Sequence, residues 1–241
     1  FVDVSGKSGF DFRGLVDRRA PLGKAGTLLL DPTDITVTGA ANSNIAFSNG
    51  VYSASPTTST TANILNSNIV SNLALGNVTI TTHSSGPSPG DITVSAVISA
   101  FGSSVFTLIA DRDITLSRAL FLNDGSLVLT AGRDLLIDSS VSIINIDVPA
   151  GNLTVTTGRN FTMSGANGSI LQAATGTTLI NISGDMMMTH GTGVEVALTT
   201  GNGGGTINVG GSVTLDGGNV VGGVRISVDA DLTMTVGDVF T

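Results

Sequence analysis

The chain has no cysteine. Disulfide staples, thiolate metal sites and thiol nucleophiles are therefore excluded, and any stability must come from packing and backbone pairing. Lysine occurs only at Lys7 and Lys24, and the formal net charge of −8 gives a pI near 4.4. Nucleic-acid binding requires a clustered positive face that displaces counterions, so no nucleic-acid partner is expected. No run approaches the roughly 18 unbroken apolar residues of a spanning helix, although mean hydropathy is +0.38, so the chain is not expected to be membrane-embedded. Two histidines (His83 and His190) and one glutamate (Glu195) offer neither a transition-metal set nor a Ser–His–Asp motif. No cofactor, metal or catalytic residue is expected. No signal peptide is visible, and the abrupt start at Phe1 and stop at "VGDVFT" read as a segment of something longer.

What the chain does have is glycine (32 residues), abundant threonine and serine, and repetition. "GSLVLTAGRDLLIDSS" (125–140) reads as two short strands hinged at "AGRD". It is preceded by "SVFTLIADRDITLS" (104–117) and followed by "GNLTVTTGRNFTMS" (151–164) and "TTLINISGDMMMT" (177–189). The residue before the second strand of each unit is Asp91, Asp113, Asp134, Asn160, Asp185, Ser212 or Asp231. Their spacings are 22, 21, 26, 25, 27 and 19, about 23 on average. A period of about 20 to 50 residues marks stacked units, none of which can bury its apolar side alone. Because every unit alternates as a strand does, the fold expected is all-β. It is a single-stranded right-handed parallel β-helix, or β-solenoid, of about ten coils and roughly 50 Å in length at about 4.8 Å per coil.

Alternation assigns the faces. Leu153 and Val155 point inward, as do Phe161 and Met163, Ile207 and Val209, Val213 and Leu215, Ile226 and Val228, and Leu232 and Met234. Their outward partners are mostly threonine, serine or asparagine, which suit a pleated surface facing water. Gly102, Gly132, Gly158, Gly184, Gly210 and Gly211 sit at the hinges, where positive φ would let the chain turn. Residues 39–74 break the pattern and are expected to be a Ser/Thr/Asn-rich insertion or long loop on a stem that spans 1–241, with regular coils over 76–241.

The opening "VDVSGKSGFDFRGLVDRRAPLGKAGTLLLDPTDITV" (2–37) resembles the recurrent text of the filamentous haemagglutinin family, large adhesins exported by two-partner secretion. "GNVTITTHSSGPSPGDITVSAVIS" (76–99) followed by "FTLIADRDI" is similar to the same family's stem. The resemblance implies a right-handed β-helix, an extracellular or cell-surface address and a part in adhesion. Its implied partners are a host or neighbouring cell-surface receptor or glycan, and an outer-membrane secretion partner for export. The family's secretion domain carries an Asn-Pro motif that this chain lacks, so the likeness is to the shaft and transfers no catalytic residue. The alternatives are a self-assembling fibre subunit, whose exposed ends would associate end to end, and a polysaccharide-degrading β-helix enzyme.

The enzyme alternative would need clustered carboxylates with arginine nearby. Asp111, Arg112 and Asp113 stack below Arg133 and Asp134, with Arg159 and Asn160 one unit on. We read these as a structural corner ladder in which each arginine neutralises the aspartate of its own or the neighbouring corner, because stacked aspartates alone would repel. The ladder fades at 184–185, 211–212 and 230–231. "GNGGGTINVGG" (201–211) lacks the Lys-Ser/Thr ending of a phosphate loop and reads as a corner loop. Met186, Met187 and Met188 place at least one methionine outward, where it would pack under a loop or form a contact patch. Sequons at Asn77, Asn152, Asn160, Asn167 and Asn181 are candidate glycosylation sites.

Overall fold

A computed structural model describes residues 2–5, 15, 17, 27–31, 34–40, 45–48, 51–54, 61–82, 89–138, 140, 144–164, 169–189, 196–200, 202–217, 224–228, 232–239 and 241. The chain is a β-solenoid whose coils stack by parallel pairing into three sheets of nine, eight and six strands. One complete coil shows the plan. Val105–Ala110 lies on the first face, Ile114–Leu116 on the second and Leu120–Leu122 on the third. The next coil repeats it with Ser126–Ala131, Leu135–Asp138 and Ile144–Val148. Six coils contribute to all three faces, because the third face holds six strands. The longest stack, on the first face, has nine layers.

Alternation sets the register. Ser126–Ala131 alternates half-buried and buried residues along its length, so Leu127, Leu129 and Ala131 point into the bore while Ser126, Val128 and Thr130 face out. Pairing keeps like with like. Ile80, Leu108, Leu129, Val155, Ile180 and Ile207 form one continuous column, each fully buried. Ile92, Ile114, Leu135, Phe161, Met186 and Val213 form another on the second face. Full burial of one such side chain contributes about 1.5–3 kcal/mol. A shift by one residue would turn the whole column outward, so aliphatic burial fixes the register.

The structure departs from the two-strand reading of each unit. A third strand follows the second, as in Ile98–Ala100 and Leu120–Leu122, each only three residues long. These two runs carry little periodic signal, whereas the later third-face strands, such as Ile144–Val148 and Ser169–Ala173, extend to five residues. The last step of the repeat is also corrected. Leu232–Val236 pairs with Gly205–Val209 on the first face, so Asp231 precedes a first strand and not a second. The corner position above Ser212 belongs to Asp238, whose carboxylate accepts the Ser212 hydroxyl at 3.3 Å.

Segment 39–74 contains more than a loop. An antiparallel hairpin pairs Ile45–Ser48 with Val51–Ala54. Thr61–Leu65 then runs parallel to Asp34–Thr38 on the side away from Ile92–Val94, extending the second face by one layer. A single helix, Asn66–Leu73, buries Ile69 and Leu73 and packs against Ile98–Ala100, the terminal strand of the third face. The helix thereby lies against the end of the third face, while the first and second faces each continue for two more layers. No helix among the described residues is long and apolar enough to cross a membrane.

Candidate functional site

The chemistry-bearing side chains gather at the corner between the first and second faces, and the glycines there explain how it can exist. Of the hinge glycines, only Gly102 has positive φ (108°). At Gly132, Gly158, Gly184, Gly210 and Gly211 the requirement is space, which corrects the reason given by sequence. A Cβ on Gly184 would lie 2.8 Å from the Arg159 carbonyl oxygen, and one on Gly158 would lie 2.8 Å from the Gly132 carbonyl carbon. Backbones of successive coils run almost in contact, and hydrogen-bond through the turn: Arg133 N–H to Arg112 O at 2.7 Å, Arg159 N–H to Arg133 O at 2.7 Å. A second glycine stack, Gly125, Gly151, Gly176 and Gly203, marks the corner between the third and first faces for the same reason.

One acceptor per coil lies beside these glycines. Asp34 Oδ1 accepts the backbone N–H groups of Gly90 and Asp91, both at 2.8 Å. Asp91 Oδ1 accepts Asp113 N–H and Asp113 Oδ1 accepts Asp134 N–H, each at 3.2 Å. Asp134 Oδ1 accepts Asn160 N–H at 3.1 Å, Asn160 Oδ1 accepts Asp185 N–H at 3.0 Å, and Asp185 Oδ1 accepts Ser212 N–H at 2.9 Å. Every rung ties a side chain to the main chain of the coil that follows it.

Three arginines reinforce the middle of this stack. Arg112 donates from Nε (2.7 Å) and Nη2 (2.5 Å) to the two oxygens of Asp91. Arg133 grips Asp113 in the same bidentate way, with Nε at 2.8 Å, and Arg159 grips Asp134, again with Nε at 2.8 Å. Arg112 and Arg133 also lie beside the aspartate of their own coil, at 3.5 Å from Asp113 and 3.2 Å from Asp134. Bidentate hydrogen bonding by Arg159, helped by the Asn160 N–H and opposed by partial burial, holds the Asp134 carboxyl below the usual carboxylate range. The aspartate partners in turn raise the pKa of Arg112, Arg133 and Arg159. The arginine side chains are 38 to 56% exposed, so solvent screens the ion pairs and they contribute little. The backbone N–H bonds carry the greater share.

The sequon asparagines serve the same end. Asn77 Oδ1 accepts Val105 N–H and Asn152 Oδ1 accepts Thr177 N–H, both at 2.9 Å, one coil on. Asn160 is a rung of the corner ladder, and Asn181 Oδ1 accepts Asn208 Nδ2 at 2.9 Å. Asn167, His83, His190 and Glu195 lie outside the described residues. Asp111 lies at the ladder's edge, its N–H bonded to the Thr82 hydroxyl at 3.0 Å. Met187 stands outward and 42% exposed between buried Met186 and Met188. A cleft of about 250 Å3 runs beside the corner, lined by Asp113, Thr115, Asp134, Leu136, Asn160 and Thr162. Its three corner side chains are those already bonded to neighbouring coils. Among the described residues no three His, Cys, Asp or Glu side chains converge as a metal set would.

Sequence reasoning grouped Arg112, Asp113, Arg133, Asp134, Arg159 and Asn160, but it missed Asp91, which Arg112 grips, and Asp34, which lies 57 residues before Asp91. It also read the ladder as fading at 184–185, where Asp185 still accepts Ser212 N–H. The signal for Asp34 was present in "TDITV" (33–37), which matches "GDITV" (90–94). Comparison with protein-family models, with curated proteins and with solved structures finds no match to this chain.

Proposed function

We propose that this chain is a length of the extracellular stem of a large adhesive surface protein, of the kind exported by two-partner secretion, and that its task is mechanical and not catalytic. The observation that carries this reading is the assignment of the corner side chains. Asp34, Asp91, Asp113, Asp134, Asn160 and Asp185 each accept a main-chain N–H of the next coil. Asp134, held by a bidentate arginine and a backbone amide that lower its proton affinity, is a poor general base, and the lone pairs of Asp91 and Asp113 are engaged by Arg112 and Arg133. The same groups make a good axial tie. The resemblance of residues 2–37 and 76–99 to the haemagglutinin stem text supports the adhesive setting, in which the partners are a cell-surface receptor or glycan and an outer-membrane exporter.

The test is a paired assay on the purified chain. Beads coated with the folded chain should adhere to cell monolayers or immobilised glycans more than beads coated with the urea-unfolded chain. The same chain, incubated with pectin, alginate and glycosaminoglycans, should release no new reducing or unsaturated ends. Turnover of any of these polymers, abolished by Asp113→Asn or Asp134→Asn, would overturn the reading.

A further inference from the structure

The outward side of the first face carries a pattern that the stem role does not require. Across four successive coils, Asn77–Thr81, Val105–Ala110, Ser126–Ala131 and Leu153–Thr157, two outward rows stand in register. One row is Thr79, Thr107, Val128 and Thr154; the other is Thr81, Ile109, Thr130 and Thr156. All eight residues are β-branched and none is charged, in a chain whose net charge is −8. Strand propensity favours threonine at outward positions generally, but it does not exclude serine, asparagine and charge from eight neighbouring sites.

The six hydroxyls share a second property. Among the described residues Thr79, Thr81, Thr107, Thr130, Thr154 and Thr156 make no side-chain hydrogen bond, as holds also for Thr36, Thr93, Thr115 and Thr162 on the second face, whereas Thr38, Thr82, Thr157, Thr175 and Thr177 do. The array ends where this changes. In the next two coils the positions above Thr156 are Asn181 and Asn208, which bond each other at 2.9 Å, and Leu179 follows Thr154. The second face offers an internal contrast. Its outward row of Thr36, Thr93, Thr115 and Thr162 is one residue wide and is broken by Leu136 and Met187.

The spacing follows from the fold. Side chains two apart on a strand repeat at roughly 6.6 Å, and adjacent coils at about 4.8 Å. The coil repeat lies near the shorter oxygen–oxygen repeat on a prism face of hexagonal ice, and the along-strand repeat falls somewhat short of the longer one. β-Branched side chains are stiff about χ1, so hydroxyl and methyl groups are held at lattice points without further ordering cost. Hydroxyls can take lattice positions while the γ-methyls between them, including those of Val128 and Ile109, fit the open cages of ordered water. A charged or flexible partner finds no complementary group here; a neutral, rigid, two-dimensional lattice of hydrogen-bonding sites does. We propose that these eight residues form an ice-binding surface whose ligand is the prism lattice of water ice.

The experiment uses the full chain, labelled with a fluorophore at its amino terminus, in three readouts: thermal hysteresis, inhibition of ice recrystallisation, and uptake into a growing ice hemisphere. The native chain should shape ice crystals and be drawn into the ice. Thr107→Tyr, at the centre of the array, and Thr154→Tyr, near its end, should lose all three effects while keeping the native circular dichroism spectrum. Thr115→Tyr, on the second face, should retain them. Thr107→Val, which keeps the methyl shape, should retain more activity than Thr107→Ser, which keeps the hydroxyl. Ice growth in the native chain equal to that in buffer with albumin would overturn the proposal. So would undiminished activity in both array tyrosine variants, or an equal loss in Thr115→Tyr. The result stands or falls independently of the adhesive reading, because it depends on the first face alone.

Discussion

Replacing Asp134 by alanine and by asparagine separates the two things its carboxylate does. The side chain accepts the Asn160 N–H at 3.1 Å and both donors of Arg159, and it is 22% exposed, whereas Arg159 is 56% exposed. Because the guanidinium is largely in water, solvent screens the ion pair and it contributes little. The N–H bond to a charged acceptor contributes about 1.5–3 kcal/mol, and its loss leaves a half-buried amide without a partner. Asp134→Ala removes both and should cost about 2–3 kcal/mol. Asp134→Asn keeps a carbonyl oxygen in place and should cost about 1 kcal/mol. The chain contains its own control: Asn160, one rung on, holds Asp185 N–H at 3.0 Å with an uncharged oxygen. Amide hydrogen exchange at Asn160 reads the local effect, and a loss of about 2 kcal/mol corresponds to roughly 30-fold faster exchange. Urea unfolding reads the global effect, with the reservation proper to stacked repeats that unfolding need not be all-or-none. If asparagine proves as damaging as alanine, charge and not the amide acceptor holds the corner. If neither variant changes exchange at Asn160, the ladder contributes nothing and the reasoning fails.

Two further outcomes follow from the same corner. Gly158→Ala places a methyl group 2.8 Å from the Gly132 carbonyl carbon and closer still to its oxygen, and should lower stability by about 3 kcal/mol, visible as a reduced urea midpoint. Gly39→Ala, with nothing within 4 Å of the new Cβ, should be nearly neutral. The Asp134 carboxyl is held low in the folded chain, so the folded state binds fewer protons there than the unfolded chain does. Its contribution should be fully present above the ordinary aspartate range near ~4 and fade as the pH falls through the lowered native value. Urea midpoints measured between pH 7 and pH 2 should show that decline, and Asp134→Asn should flatten part of it.

The repeat was legible where burial and hydrogen bonding both act on one position. Asp91, Asp113, Asp134, Asn160, Asp185 and Ser212 stand immediately before buried Ile92, Ile114, Leu135, Phe161, Met186 and Val213, and the structural register reproduces their sequence spacing. The pattern failed at Asp231, because "DADLTMTV" copies the local text of a second strand while the chain there is starting a first. Local alternation cannot distinguish faces when all three alternate alike. Only the first two third-face strands were hidden by brevity, and strand Thr61–Leu65 was hidden by order: it pairs with Asp34–Thr38 on the side opposite the later coils, a placement no period reveals. The glycines were found at the right positions for the wrong reason. A turn glycine and a glycine that admits a neighbouring backbone look the same in one sequence, and only the stacked carbonyls of Gly132 and Arg159 separate them.

The corner ladder also has a polarity. At each rung the acceptor comes from the earlier coil and the donor from the later one, from Asp34 receiving Asp91 N–H to Asp185 receiving Ser212 N–H. A polypeptide stacked from its amino end therefore offers a side-chain acceptor to each turn that arrives, while backbone donors such as Ile92 and Ile114 N–H are met by the carbonyls of the next turn. Stacked in the opposite sense, it would present amides awaiting carboxylates still to come.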